Sequence, residues 1–129
     1  MSSLNWGAVA VGAVAGLAAG IVLAIPLLAL GVAGTDDFGG QAALILLGFV
    51  AQFLAGYVAA RIAGFADAQH GSLSALGLFA VVAGISIAAG QDPSIGTLAF
   101  SGVVALVLGT AGGVLGREVA EAREHRAGD

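Results

Sequence analysis

The stretch that decides the fold of this chain is QAALILLGFVAQFLAGYVAARIAG, from Gln41 to Gly64. An α-helix rises about 1.5 Å per residue, so a helical stretch of this length crosses the apolar core of a bilayer. Residues four apart lie on one face of a helix, and small or polar residues recur here at that spacing. They are Gly48, Gln52, Gly56, Ala60 and Gly64. The stretch therefore predicts a membrane span with one narrow face shaped for another helix.

The composition of the whole chain is that of a membrane protein. Of its 129 residues, 59% are hydrophobic and 9% are charged, whereas a soluble domain has about 25% charged residues. The absence of cysteine excludes disulfides and thiolate metal sites. Four arginines, no lysine and a net charge of −4 give no phosphate-binding surface, so we expect no nucleic-acid partner. The partner that the composition predicts is the lipid bilayer.

Four apolar runs predict an all-α membrane protein with four transmembrane helices in one domain. The predicted spans are about 7–33, 41–64, 71–89 and 95–116, the domain is 1–116, and 117–129 is a charged cytoplasmic tail. The first run competes with a secretory signal peptide. However, its start, MSSLNW, has no basic side chain, and the run is much longer than the roughly 7 to 15 residues of a signal-peptide core. We therefore predict a retained span, with a kink at Pro26.

Small residues at a spacing of four mark all of the spans, a pattern that is typical of closely packed membrane helices. The helix-packing residues predicted from it are Gly12, Gly16, Gly20, Gly48, Gln52, Gly56, Ala60, Gly84, Gly109 and Gly113. Small side chains let helix backbones approach closely, so we expect a bundle with glycine- and alanine-rich packing.

The chain also contains a weak internal repeat. Sliding the sequence over itself so that Arg61 meets Arg117 aligns AGTD at 33–36 with AGQD at 89–92, without a gap. Each unit holds an even number of spans, so the two units are parallel helical hairpins and not an inverted repeat. The repeat predicts pseudo-twofold packing about the membrane normal.

The distribution of charge predicts the orientation. The turns TDDFGG at 35–40 and QDPS at 91–94 hold acids without a basic residue, and all arginines belong to the other side. By the positive-inside rule, both termini and the loop at 65–70 are cytoplasmic. We expect a multi-pass protein of a prokaryotic cell membrane. The side chains predicted to anchor it at the interface are Trp6, Tyr57, Arg61 and Arg117.

The chemistry of the spans argues against catalysis. A charged side chain deep in a membrane is costly and marks a transport or catalytic site, and the predicted spans hold none at depth. No cluster of His, Asp and Glu suits a metal or a hydrolytic site. We therefore predict no catalytic residue, no metal and no cofactor, and a protein that is not an enzyme.

Gln52 is the notable polar residue at the middle of a span. Its amide has two donors and two acceptor lone pairs that lipid cannot satisfy, so we expect it to face protein. Two interpretations stay open. Gln52 forms an interhelical hydrogen bond worth about 0.6 to 2 kcal/mol, or it forms a polar ring in a homo-oligomeric pore.

The polar segments between spans allow two interpretations, a structural role or a binding role. The adjacent carboxylates of TDDFGG at 35–40 are exposed to water in a turn and cap a helix, or they bind a cation. His70 follows Asp67 by three residues, which predicts a solvated loop histidine paired with Asp67, or else a metal ligand or a pH sensor. Ser72 or Ser74 is expected to satisfy free backbone donors at the start of the third helix.

Three segments resemble known families. NWGAVAVG at 5–12, LAGYVAARIAG at 54–64 and DAQHGSLSALG at 67–77 are similar to small four-helix membrane families of unknown function from haloarchaea and Gram-positive bacteria. The resemblance covers most of the chain, and its matched positions are Gly56, Tyr57, Ala59, Arg61, His70 and Gly71. It implies the four-span fold and carries no activity to transfer.

These observations predict a function without catalysis. We expect a structural or accessory membrane protein that associates with itself as a homo-oligomer, or that is a subunit of a larger membrane complex. The alternative is a small channel or transporter with a polar path at Gln52, joined by Ser86.

Overall fold

The computed structural model describes residues 4–32, 38–64 and 67–128. All regular structure in these ranges is helical. The helices are α1 (Trp6–Ala29), α2 (Phe38–Ala63), α3 (Asp67–Ala88) and α4 (Ile95–Ala127). Each of the four is long and apolar enough to cross a membrane. The prediction of an all-α chain with four helices able to span a membrane is therefore confirmed for the described part of the chain.

The helix ends differ from the predicted spans at four places. α1 ends earlier than expected, at Ala29, α2 and α3 begin earlier than expected, and α4 continues from the span through the charged tail to Ala127. The tail is rich in alanine, glutamate and arginine, which favour a helix, and Arg117 Nε contacts Glu121 Oε1 at 2.5 Å one turn later. Asp36 and Asp37, the carboxylates expected to lie in a solvated turn and cap a helix or else to bind a cation, lie outside the described residues.

The four helices alternate in direction. The starts of α1 and α3 meet, because the backbone N–H of Asn5 is hydrogen-bonded to His70. The ends of the spans in α2 and α4 also meet, since a Cβ built on Gly116 would lie 3.2 Å from the Cβ of Ala60. The start of α1, the connection from α2 to α3 and the charged extension of α4 therefore share one end of the bundle.

The helices are arranged around α2 and α3 as a central pair. α1 and α4 each pack against both members of this pair, and no contact joins α1 to α4 within the described residues. Pseudo-twofold packing of two hairpins would require α1 to meet α4 as α2 meets α3, so the contacts depart from that prediction. The physical reason is that the glycines of α4 let it pack closely against both α2 and α3. α1 packs on the other side of that pair.

Burial divides the bundle into two halves. We call residues 5–16, 51–63, 67–78 and 105–116 the packed half, and residues 17–29, 38–50, 79–88 and 95–104 the open half. Apart from Gly40, every buried residue in the described ranges lies in the packed half. Its centre is formed by fully buried alanines, whereas large aliphatic side chains of the open half are exposed, as expected for a surface that meets lipid.

The turn after α2 positions the start of α3. α2 ends before Gly64, whose φ of +74° is a left-handed conformation that side chains with a Cβ rarely adopt. Gly64 therefore ends the helix, and it does not continue the row of packing residues seen in the sequence. α3 begins at Asp67 and places His70 in the packed half.

Candidate functional site

A buried histidine joins the starts of α1 and α3. His70 lies one turn after α3 begins, and its side chain is fully buried. Its Nε2 accepts a hydrogen bond from the backbone N–H of Asn5 over 2.9 Å. An imidazole that accepts at Nε2 is neutral and carries its proton on Nδ1. His70 therefore links the residue that caps α1 to the body of α3.

Asn5 completes the cap of α1. Its Oδ1 accepts from the backbone N–H of Ala8 at 3.1 Å, which satisfies one of the donors that a helix start leaves without a partner. In a capping box, a side chain within the same helix returns a hydrogen bond to the N–H of the cap residue. Here His70 supplies that acceptor from another helix. The start of α1 thus depends on the position of α3.

This geometry shows that the prediction of a solvated loop histidine is wrong. α3 begins at Asp67, so His70 lies inside the helix and is buried against α1. The sequence did contain a signal, because His70, Ser74 and Leu78 follow one another at a spacing of four and all three are buried. The side chain of Asp67, the predicted partner of His70, lies outside the described residues.

The two serines of α3 also differ from expectation. Ser74 is fully buried and donates to the backbone carbonyl of Ala55 on α2 at 3.2 Å. Ser72 donates to the carbonyl of Gln69 at 3.1 Å within α3. The prediction that either one caps the helix is wrong, because α3 begins before both. Ser74 instead supplies a hydrogen bond between two helices in the packed half.

α1 approaches this hydrogen bond through Gly12. A Cβ built there would lie 2.5 Å from Ser74 Oγ and 2.6 Å from the carbonyl oxygen of Ala55. Gly16, one turn later, faces α2 in the same way, with Ala51 O 2.7 Å from the Cβ position. Real Cβ atoms are not found at such distances, so only glycine fits these two positions in this arrangement.

The closest meeting of helices is at Gly109 of α4. Its carbonyl oxygen occupies the space that a Cβ would need on Gly56 of α2 and also on Gly71 of α3. A Cβ on Gly109 itself would lie 2.5 Å from the Cβ of Ala75. Three helix backbones therefore meet at one point, and glycine on each of them is the condition for the contact. A Cβ on Gly71 would also lie 2.9 Å from the Cα of Gly113.

Three contact residues were absent from the predicted set. Gly112 and Gly116 of α4 pack on α2, where the Cβ positions meet the carbonyl oxygens of Phe53 and Tyr57, and Gly71 packs on α4. Gly112 and Gly116 are four residues apart, a spacing that the sequence shows as it does for Gly109 and Gly113. Gly71 gave no such signal, because its contact depends on how α4 enters the groove between α2 and α3.

Other predicted packing residues lie away from close contacts. Gly20 is at an ordinary distance, with its Cβ position 3.4 Å from the Cβ of Ala51. A Cβ on Gly48 or Gly84 would meet no atom within 4 Å. Both of these glycines lie in the open half, where the helices of this chain do not press against one another. The structure therefore gives Gly48 and Gly84 no packing role inside the single chain.

Gln52 lies between the two halves, beside two cavities. One has a volume of about 270 Å³ and lies between α2 and the pair α1 and α3; the other, of about 340 Å³, lies between α2 and α4. Gln52 and Gly48 line both cavities. The Oε1 of Gln52 is buried and has no hydrogen-bond partner among the described residues. Ser86, the other residue of the predicted path, lines neither cavity.

No known protein supplies an identity here. Comparisons with family models, with curated proteins and with solved structures find no match. Within residues 4–32, 38–64 and 67–128, no three His, Asp or Glu side chains come together as a metal site would require. The interpretation of the chain therefore rests on its own geometry.

The predicted anchors lie at the end of the bundle that holds the start of α1. Trp6 is the first residue of α1 and is 67% exposed, and Arg61 lies in the last turn of α2. The Nη1 of Arg61 is buried without a hydrogen-bond partner in the described part of the chain. Tyr57 is partly buried against α4, and Arg117 is exposed and pairs with Glu121.

Proposed function

We propose that this protein is a non-catalytic structural or accessory protein of a membrane, acting through helix association with a second copy or with a larger membrane complex. The observation that supports the proposal is a row of small residues on the open half of α3. Ala80, Gly84 and Ala88 are spaced by four and are all exposed. Within the described chain, no helix covers the Cβ position of Gly84.

Small residues at this spacing favour helix association in lipid. Lipid chains are as apolar as leucine, so transmembrane helices associate through close van der Waals packing, and small residues permit the closest approach. In the packed half, such residues are already in contact with other helices of the same chain. The row on α3 is left for a helix of another molecule, and the exposed Val81 and Ile85 beside it supply contact area.

Replacing Gly84 by leucine is expected to weaken assembly without disturbing the fold of the single chain. The new side chain enters open space in the monomer but blocks the approach of a second helix. We expect the dissociation constant of the assembly to rise about tenfold or more, the equivalent of about 1.4 kcal/mol. The measurement is the native mass of the particle released from its own membrane in mild detergent, with every protein component identified.

The matched control is Ala99→Leu on α4, which is also exposed in the open half but lies outside the row. It should leave the native mass unchanged. A particle of this chain alone would indicate a homo-oligomer, and a particle with other subunits would indicate an accessory role. An unchanged mass for Gly84→Leu, or a monomer for the unaltered protein in its own membrane, would remove the support for association through α3.

The proposal includes the predictions about helix packing, the internal repeat, the membrane and the orientation. Glycine- and alanine-rich packing would hold the four helices in one bundle, and the repeat would reflect two related parallel hairpins. We further infer a prokaryotic cell membrane with both termini cytoplasmic. What supports this orientation is that Arg61 and Arg117 lie at one end of the bundle, together with the start of α1.

A small channel or transporter is the second candidate. The cavities on both sides of Gln52 favour it, because a buried amide beside open space is a feature of polar paths through membranes. In that case Gln52→Leu should abolish the flux of small solutes into liposomes that contain the purified protein. Flux that is unaffected by the substitution would count against the channel.

A further inference from the structure

We propose that Gln52 is the polar contact of a binding site for an uncharged amphiphile, a molecule with one apolar chain and one hydroxyl group that enters from the bilayer. The site consists of the two cavities that flank α2 where the packed half meets the open half. It goes beyond helix association, because it assigns a ligand to a single chain.

The two cavities have the size and the walls of a site for an apolar chain. Their volumes of about 270 and 340 Å³ lie near the lower end of the range for ligand pockets, about 300 to 1,000 Å³. Leucine, valine, isoleucine and phenylalanine side chains form most of the wall of the first cavity and half of the wall of the second. A chain of methylene groups is the chemistry that such walls accept.

Gly48 leaves the two cavities adjacent to each other. It lines both of them, and no atom lies within 4 Å of the position that its Cβ would take. A longer side chain at this position would fill the space between the cavities without moving a helix. Gly48 is therefore a position where the site can be closed while the bundle is kept intact.

Gln52 supplies the polar part of the site. Its Oε1 is buried without a donor among the described residues, and Gln52 lies near the middle of α2. An amide oxygen without a hydrogen bond in an apolar region costs free energy, so a ligand that brings a donor gains by entering. The donor is best carried by an uncharged group, because a cation at this depth would lose its hydration.

A hydroxyl of an amphiphile fits the site better than a buried water. A water needs two to four polar partners, and Gln52 is the single polar side chain that lines the cavity between α1, α2 and α3. In the cavity between α2 and α4, the hydroxyl of Thr97 is already hydrogen-bonded to Ser94 at 2.9 Å, but Ser101 also lines the wall, so a water is disfavoured only in the cavity between α1, α2 and α3. A hydroxyl with an alkyl chain satisfies Oε1 through one hydrogen bond and fills the apolar space with the rest of the molecule.

The test uses a long-chain primary alcohol with a photoreactive diazirine on its chain, added to liposomes that contain the purified full-length protein. After illumination, mass spectrometry of peptides locates the label. We expect it on the α2 residues around Gly48 and Gln52 and on the facing part of α4. Unlabelled alcohol should compete about fivefold better than an alkane of the same length, which is the effect of one net hydrogen bond.

Variants separate the two parts of the site. Gly48→Leu should abolish the specific labelling, because it fills the space that the chain would occupy. Gln52→Leu should keep the labelling but remove the preference for the alcohol over the alkane. Gly84→Leu, which lies in open space outside both cavities, is the control and should label as the unaltered protein does.

Three results would overturn the proposal. Labelling spread evenly over the exposed faces of all helices would mean that no site exists. Equal competition by alcohol and alkane for the unaltered protein would mean that Gln52 makes no hydrogen bond to the ligand. Cross-links between copies at Gln52 that exclude the alcohol would assign the donor to a second copy of the chain.

Discussion

Gly56→Ala is expected to lower the free energy of unfolding of the bundle by about 1 to 3 kcal/mol. The added methyl group would overlap the carbonyl oxygen of Gly109, and the carbonyl carbon of the same residue lies 2.9 Å from the Cβ position. Backbone atoms cannot rotate away as a flexible side chain can. α4 must therefore move away from α2, and the contact of α4 with Gly71 of α3 is lost with it.

The control for this prediction lies two turns earlier on the same helix. Gly48→Ala places its methyl group in open space, and alanine favours a helix over glycine by about 0.8 to 1 kcal/mol. It should leave stability unchanged or raise it. Denaturant unfolding in detergent, followed by the fluorescence of the single tryptophan, Trp6, measures both. Equal stability of the two variants would mean that α2 and α4 do not approach as closely as described.

His70→Ala is expected to lower the free energy of unfolding as well, by about 2 to 4 kcal/mol and through a different cause. The substitution leaves a cavity where a fully buried side chain stood. It also removes the acceptor for the backbone N–H of Asn5, which then lies at the start of α1 without that partner. The start of α1 should separate from α3, and amide hydrogen exchange at Asn5 should accelerate.

The matched control is His125→Ala. His125 is exposed on the charged extension of α4, so the same chemical change there should shift stability by no more than about 0.5 kcal/mol. Trp6, which follows Asn5 directly, reports on the region through its fluorescence. Unchanged amide exchange at Asn5 in His70→Ala would contradict a hydrogen bond between the two helices.

The structure also decides which glycines can test association between molecules. Gly56 and Gly112 lie at contacts inside the chain, so large residues there would disturb the fold and the assembly together. Gly84 lies outside such contacts, and a substitution there acts on the assembly alone. This separation was invisible in the sequence, where all three glycines belong to the same kind of four-residue spacing.

Several features could be predicted from the sequence because they depend on local properties of the chain. Length and hydropathy predict each span, since a helix must satisfy its own backbone hydrogen bonds in lipid. Spacing of four predicts which residues share a helix face, and it placed Gly12, Gly16, Gly56 and Gly109 on faces where the structure has close contacts. The isolated amide of Gln52 was also recognisable, because a polar group at mid-span has few neighbours along the chain.

The sequence by itself therefore determined that this chain forms four helices long and apolar enough to span a membrane, with small-residue faces. Only the tertiary structure decided which of those faces meet, that α1 and α4 lie on opposite sides of α2 and α3, and that His70 is buried and holds the cap of α1. The physical reason is that helix formation depends on contacts between residues near in sequence. Whether a glycine is covered, or a histidine finds a partner 65 residues away, depends on how the helices pack.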